Sequence, residues 1–259
     1  MTRMTAVRAA IGIAAPLLAI AAWWAASAHS TNPFFPPLQQ ILLRFRQLWL
    51  FSHLTTDILP SLTNLLVGFL LAAVIGVALG FVLATVPVLR WMFEPPLHFL
   101  RAIPPVAIVP ILISLIGFGT DMRIASITIA AVFPTMIATM DGIRSVDPAV
   151  RDVCAVYRLR TAERIGRVYL PAAGPQIASG LQVSLQVAFI VMIASEMLGS
   201  SAGIGAMTLL AQQSFLSADM WAGILLLGLI GFLANVLFEL ARHRVLAWYL
   251  GSRRMERAA

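Results

Sequence analysis

Few side chains in this sequence could act as acids, bases, nucleophiles or metal ligands. Among 259 residues there are eleven carboxylates, four histidines and one cysteine. His29, His53, His98 and His243 all fall near the ends of apolar runs, whereas a general base of a membrane-embedded site must reach a reacting group inside it. No H-E-x-x-H pattern occurs, so a zinc site of that kind is excluded. The lone Cys154 rules out an intrachain disulfide and a cysteine-built zinc site. All 18 basic residues are arginine; a phosphate-cradling G-x-x-x-x-G-K-[ST] loop needs its lysine, so no ordinary ATP-binding P-loop is present. No residue is assigned to catalysis or to a metal. Ser200 and Ser201, following Gly199, are what keep a membrane-embedded hydrolase among the alternatives.

The remaining candidates are polar groups set inside apolar stretches, a placement that suits a solute pathway. Arg101 is followed by Pro104, Pro105 and Pro110. Prolines at that density remove backbone donors, and lipid does not tolerate the freed carbonyls unless protein or water covers them. An arginine at the centre of a span costs about 2.5–3.5 kcal/mol and less near an end, so Arg101 either snorkels to headgroups or serves a pathway. Gln182 and Gln186 are i, i+4 neighbours with Ser184 between them, and Asn235 and Glu239 form a similar pair; such residues join helices as readily as they touch solute. Glu196 points to a gate or a docking function.

The elements that must position these groups are membrane spans. The chain is 60% hydrophobic and 11% charged, with a mean hydropathy of +0.90, outside the range of soluble domains. About 20 apolar residues cross a bilayer, and six stretches qualify, at about 11–28, 59–86, 97–119, 122–142, 172–197 and 219–241. The expected fold is thus an all-α integral membrane protein, one domain over 1–259. Arg3 and Arg8 before the first stretch, and Ala26-Ser27-Ala28 at its end, resemble a signal peptide. Bulky Trp23 and Trp24 beside that site favour a retained helix. With six spans, fifteen arginines fall on one side and Arg44, Arg46 and Arg123 on the other, which puts both termini in the cytoplasm. The pI of 11.1 then reports topology rather than nucleic-acid binding. Residues 32–49 read as a Pro-rich turn and an amphipathic helix on the outer surface, with Phe34, Phe35 and Trp49 at the interface.

Between the fourth and fifth spans lies "RDVCAVYRLRTAERIGRVYLP", residues 151–171, with five arginines. Asp147-Pro148 is a helix start. Val150, Val153, Cys154 and Tyr157 follow at i, i+3, i+4 and i+7 and form one apolar face. Thr161 can cap a second helix with Glu163 in its first turn, and an apolar stripe through Ile165, Val168 and Tyr169 runs until Pro171 interrupts it. From pattern alone this is either a hairpin lying on anionic headgroups or a protein-docking element.

The segment resembles the cytoplasmic signature loop of ABC importer permeases, Glu-Ala-Ala, three residues, Gly, nine residues, Ile-x-Leu-Pro. Asp152-Val153-Cys154 stands at Glu-Ala-Ala, Arg158 at the glycine, Val168 at the isoleucine, and Leu170-Pro171 matches. "FLRAIPPVAIVPILISLIGFGTD" (99–121), "GIRSVDP" (142–148) and "SEMLGSSAGIGAM" (195–207) are similar to the nitrate/sulfonate/taurine branch. The resemblance implies a permease in the bacterial inner membrane that pairs with a second copy of itself in the bilayer. It further implies two cytoplasmic ATPases that bind ATP and Mg, an external substrate-binding protein, and a small anion or organic acid as solute. The loop would form coupling helices, with Asp152, Val153, Cys154, Ala155, Tyr157, Arg158, Leu170 and Pro171 shaping the ATPase contact. Arginine tolerates the positive φ of a tight turn poorly, so either the turn has moved toward Thr161 or the coupling geometry differs. A secondary transporter is the other alternative, although the repeated halves it would show are not found.

Overall fold

The computed structural model describes residues 2–49, 53–247 and 249, the side chains of 2–11, 13 and 161 excepted. All regular elements among them are helical. They are α1 Thr2–Ser27, α2 Leu38–Gln47, α3 Leu59–Thr85, α4 Pro87–Ala102, α5 Ile108–Ile116 and α6 Thr120–Arg144. After these come α7 Pro148–Val156, α8 Thr161–Arg164, α9 Leu170–Gly199, α10 Ile204–Gln213 and α11 Ser217–Val245. Four helical segments among the described residues are long and apolar enough to cross a membrane: Leu54–Thr85, Thr120–Arg144, Ala162–Gly199 and Ser217–Val245. The stretch expected first falls on α1, a helix of 26 residues, of which Ala14–Ser27 is the apolar part among the described side chains.

The stretch expected as a single span at 97–119 is a bent pair. Pro87–Ala102 and Pro105–Ile116 meet at 88° and make a fifth crossing only if counted together. The cause is local. A residue ahead of proline is driven out of the helical region, and Ile103 and Pro104, each followed by proline, take ψ of 127° and 126°. The same rule separates α3 from α4, because Val86 precedes Pro87 and is extended.

The core is a layer of three helices with α6 between α3 and α9. Lipid offers no hydrophobic drive between helices, so close approach must hold them together. On α3 a small residue recurs every fourth position: Gly68, Ala72, Gly76 and Gly80, all buried. A Cβ on Gly76 would lie 2.9 Å from the Thr135 Cβ, and one on Gly80 only 2.4 Å from the Met136 carbonyl oxygen. On α9, Gly180 meets Ala138 of α6 just as closely.

Inside α6, Pro134 removes a backbone donor. One residue along, Ser184 of α9 bridges the next backbone pair: its hydroxyl donates to the Ala131 carbonyl at 2.6 Å and accepts from the Thr135 N–H at 3.1 Å. A neighbouring helix thereby re-satisfies groups that lipid would leave orphaned.

Pro171, where the apolar stripe was expected to be interrupted, lies inside a helix that runs unbroken from Ala162 to Gly199 through a π-turn at Ile165–Tyr169. The wider π-turn ahead of Pro171, where the Leu170 N–H reaches back to the Ile165 carbonyl, lets the helix pass a residue that has no N–H to give. Trp49 is not an interfacial residue; it is buried in a cluster with Leu38, Ile41, Ile204 and Leu226. Phe34 does remain exposed.

Candidate functional site

Two places gather functional groups, one at each end of the helix layer. At the arginine-rich end the chain leaves α6 and forms the α7–α8 hairpin. Asp147 caps α7 by accepting from the Ala149 N–H at 2.8 Å, and Pro148 takes the first helical position. α7 closes with paired bonds, Leu159 N–H to the Cys154 carbonyl at 3.1 Å and Arg158 N–H to the Ala155 carbonyl at 3.0 Å. These define a Schellman turn, which requires a left-handed residue at Arg158, and its φ is 48°. The turn has therefore not moved toward Thr161; arginine occupies the strained position. α8 follows, with Glu163 accepting from the Arg160 N–H at 3.1 Å, half of a capping box. The side chain of Thr161, expected as the cap, lies outside the described residues.

The hairpin has two different faces. Cys154 is buried, 2% exposed, and Arg151 turns inward to donate to the Ile143 and Arg144 carbonyls at the end of α6. On the outer flank Val153 is 54% exposed, Val156 78% and Tyr157 75%. The apolar face read from the sequence is thus split: Cys154 leaves it for the interior, and Val156, three residues beyond Val153, joins it. Asp152, Ala155 and Arg158 are also exposed. Leu170 and Pro171, half-buried, open α9 beside Tyr169, which packs with Ile143, Val146 and Ala173.

The opposite end is carboxylate-rich and tightly bonded. α10 begins after Ser200–Gly203, with Gly203 at φ 117°. Its first N–H groups have no partner within the helix, and three of them are taken by side chains of the same chain. Asp57 accepts from Gly203 at 2.7 Å, Ser61 from Ile204 at 3.2 Å and Glu196 from Gly205 at 2.9 Å. Asp57 is in turn held by Thr56 and by His53 Nδ1, both at 2.7 Å. Two carboxylates at a helix N-terminus are favourably placed for its dipole. The arrangement also fills with side-chain oxygens of this chain a helix start of the kind that binds anions. Glu196 Oε1 and Arg123 Nε are buried without a hydrogen-bond partner among the described residues.

The pathway candidates separate by environment. Glu196 is fully buried. Gln182 is tied to α11, donating to Asn235 at 3.1 Å and accepting from Arg242 at 3.2 Å. Arg101, Pro104, Pro105 and Gln186 are exposed and not brought together with either. Arg101 lines a cleft with Arg90, Glu94, His98, Asp141 and Arg144. Asp57 and Ser61 were missed in the sequence, since nothing local links Asp57 to a glycine 146 residues away.

Residues 72–247 match the family described as binding-protein-dependent transport system inner membrane component. This chain belongs to that family. The permease is a multi-pass protein of the inner membrane. It is 30% identical over 239 residues to the putative aliphatic sulfonates transport permease protein SsuC of Bacillus subtilis (strain 168), covering 92% of this chain and 87% of that one. To the taurine transport system permease protein TauC of Escherichia coli (strain K12) it is 28% identical over 259 residues, 92% and 89% of the two chains. The nitrate import permease protein NrtB of Leptolyngbya laminosa is 30% identical over 189 residues, 73% and 68%. The permease thus falls in the nitrate/sulfonate/taurine branch that its motifs resemble. Its fold is similar to a chain of the inward-facing MetNI methionine ABC transporter, with a TM-score of 0.60 at 18% identity over 74% of this chain and 93% of that one.

Proposed function

We propose that the permease is the membrane subunit of an ATP-driven importer, with six spans and both termini in the cytoplasm. In this reading α1 and the bent α4–α5 pair complete the six. Two copies form the pathway, an external binding protein delivers the solute, and two cytoplasmic ATPases bind ATP and Mg and dock on the α7–α8 hairpins. The solute is a small anion or organic acid, the class that the names of the sulfonate, taurine and nitrate relatives carry. The absence of lysine supports leaving nucleotide to another subunit.

The observation that carries the reading is the outer flank of α7. Val153, Val156 and Tyr157 stand exposed on a short helix beyond the ends of the spans, among arginines and away from the apolar helix faces that lipid would cover. An apolar patch rimmed by polar residues marks a protein contact. Val153→Asp with Tyr157→Asp leaves insertion intact and abolishes co-purification of the ATPase; recovery at wild-type stoichiometry would reject the docking assignment. The solute class is tested in the reconstituted transporter with its binding protein, where taurine, an alkanesulfonate or nitrate should stimulate ATP hydrolysis. Stimulation by none of the three, with a neutral solute active, would reject the anion reading.

A further inference from the structure

Four arginines line one cleft at the arginine-rich end: Arg90, Arg144, Arg151 and Arg164, beside Thr85 and Tyr169. No carboxylate lines it among the described residues. Carboxylates adjoin it rather than line it: Glu94 lies 4.0 Å from Arg90, Glu94 and Asp141 line the neighbouring cleft that shares Arg90 and Arg144, and Glu163 accepts from the Arg160 N–H and faces Arg167. Two of the four cations are fixed in place. Arg151 is held by the α6 carbonyls, and the Arg164 guanidinium sits 5.4 Å from the centre of the Tyr169 ring. Like charges held together this way repel one another until an anion enters, and arginine forks fit phosphate oxygens bidentately.

The setting says which anion. The cleft is built from the last residues of α3, the first of α4 and the last of α6, where two spans end and lipid headgroups begin. α4 leaves this point with no buried residue and carries Trp91, Met92 and Phe93 exposed next to Arg90. Cations flanked by exposed aromatic and apolar side chains are the composition of a segment in the membrane interface, here the first turns of α4 ahead of the expected crossing at 97–119. The flank of α7 assigned to the ATPase, Val153, Val156 and Tyr157, is not the one that carries Arg151 into the cleft. We propose that the cleft binds the phosphate headgroup of an anionic phospholipid of the cytoplasmic leaflet. The leaflet rests on the orientation proposed above; the headgroup chemistry does not.

Full-length permease, delipidated in mild detergent, is offered phosphatidylglycerol or phosphatidylcholine, and bound lipid is read by native mass spectrometry. Wild type should prefer phosphatidylglycerol. Arg144→Gln should weaken that preference about fivefold, and Arg90→Gln with Arg144→Gln more than tenfold, at about 1 kcal/mol for each cation near the surface. Arg46→Gln, at the opposite end, should leave it unchanged. The single variant serves if the double one does not fold. An unchanged preference in Arg144→Gln overturns the proposal. So does displacement of the lipid by equimolar inorganic phosphate, which would make this a free-anion site. Loss of the lipid when the ATPase docks also overturns it and assigns the cleft to an acidic protein surface. An error in orientation leaves the lipid preference intact and shows only in sidedness labelling.

Discussion

Arg158 holds a conformation, φ 48°, in which its Cβ crowds the following carbonyl. That costs about 1–2 kcal/mol relative to glycine. Phe215 does the same at the end of α10, at φ 57° in an equivalent turn. Arg158→Gly is expected to raise the melting temperature of the purified permease by about 2–4 °C, the shift that roughly 1 kcal/mol produces in a chain of this size; no rise would show that the strain is relieved in another way. At the other end, Glu196→Ala leaves the Gly205 N–H buried and unpaired, at a cost of about 1–3 kcal/mol. Hydrogen exchange at residues 203–205 should accelerate in that variant. Protection unchanged from wild type would mean that the carboxylate does not hold this helix start.

At the scale of elements, the seam between α3 and α6 depends on side chains that are absent. Any Cβ on Gly80 meets the Met136 carbonyl and the Thr139 Cβ, and neither belongs to a flexible chain end that could swing away. Gly80→Val should therefore separate the two helices, with loss of folded permease in size-exclusion chromatography. Gly228→Ala on α11, where a Cβ would meet nothing within 4 Å, should be neutral. Equal yields for the two variants would show that the seam is not what holds the layer. The bent α4–α5 pair differs in kind: successive pre-proline residues set the bend locally, and packing of Val109 and Leu112 in the core then holds it.

For the whole molecule the testable quantity is sidedness. Val156 is 78% exposed at the arginine-rich end and Phe215 76% exposed near the opposite end. In a Cys154→Ala background, Val156→Cys should react with a membrane-impermeant maleimide only in inside-out vesicles. Phe215→Cys should react only in intact cells whose outer membrane has been made permeable. Labelling of both from one side would overturn the single crossing, Ala162–Gly199, between them. The buried Cys154 cannot report this itself, since its shielding comes from its own chain.

The sequence by itself determined what depends on composition and short spacing. Hydropathy set the membrane class, the lack of lysine excluded a nucleotide loop, and Asp147-Pro148 set the start of α7. The pattern from Asp152 to Pro171 was legible because its information lies within twenty residues of chain. Helix ends next to proline were legible in principle, yet the run 97–119 looked like one span because hydropathy averages over a bend. The sequence also flagged Arg158 as strained but could not say whether the turn would stay there; the paired bonds back to Cys154 and Ala155 decided it. Only the tertiary structure took Cys154 out of the docking face, because Arg151 and Cys154 must cover the end of α6. It alone joined Asp57, Ser61 and Glu196 around Gly203, Ile204 and Gly205, since orphaned N–H groups accept any nearby oxygen, however distant in the chain. The same holds for Ser184 beside Pro134: the proline can be seen in the sequence, but the hydroxyl that bonds the adjoining Ala131 carbonyl and Thr135 N–H is known only once the helices have packed.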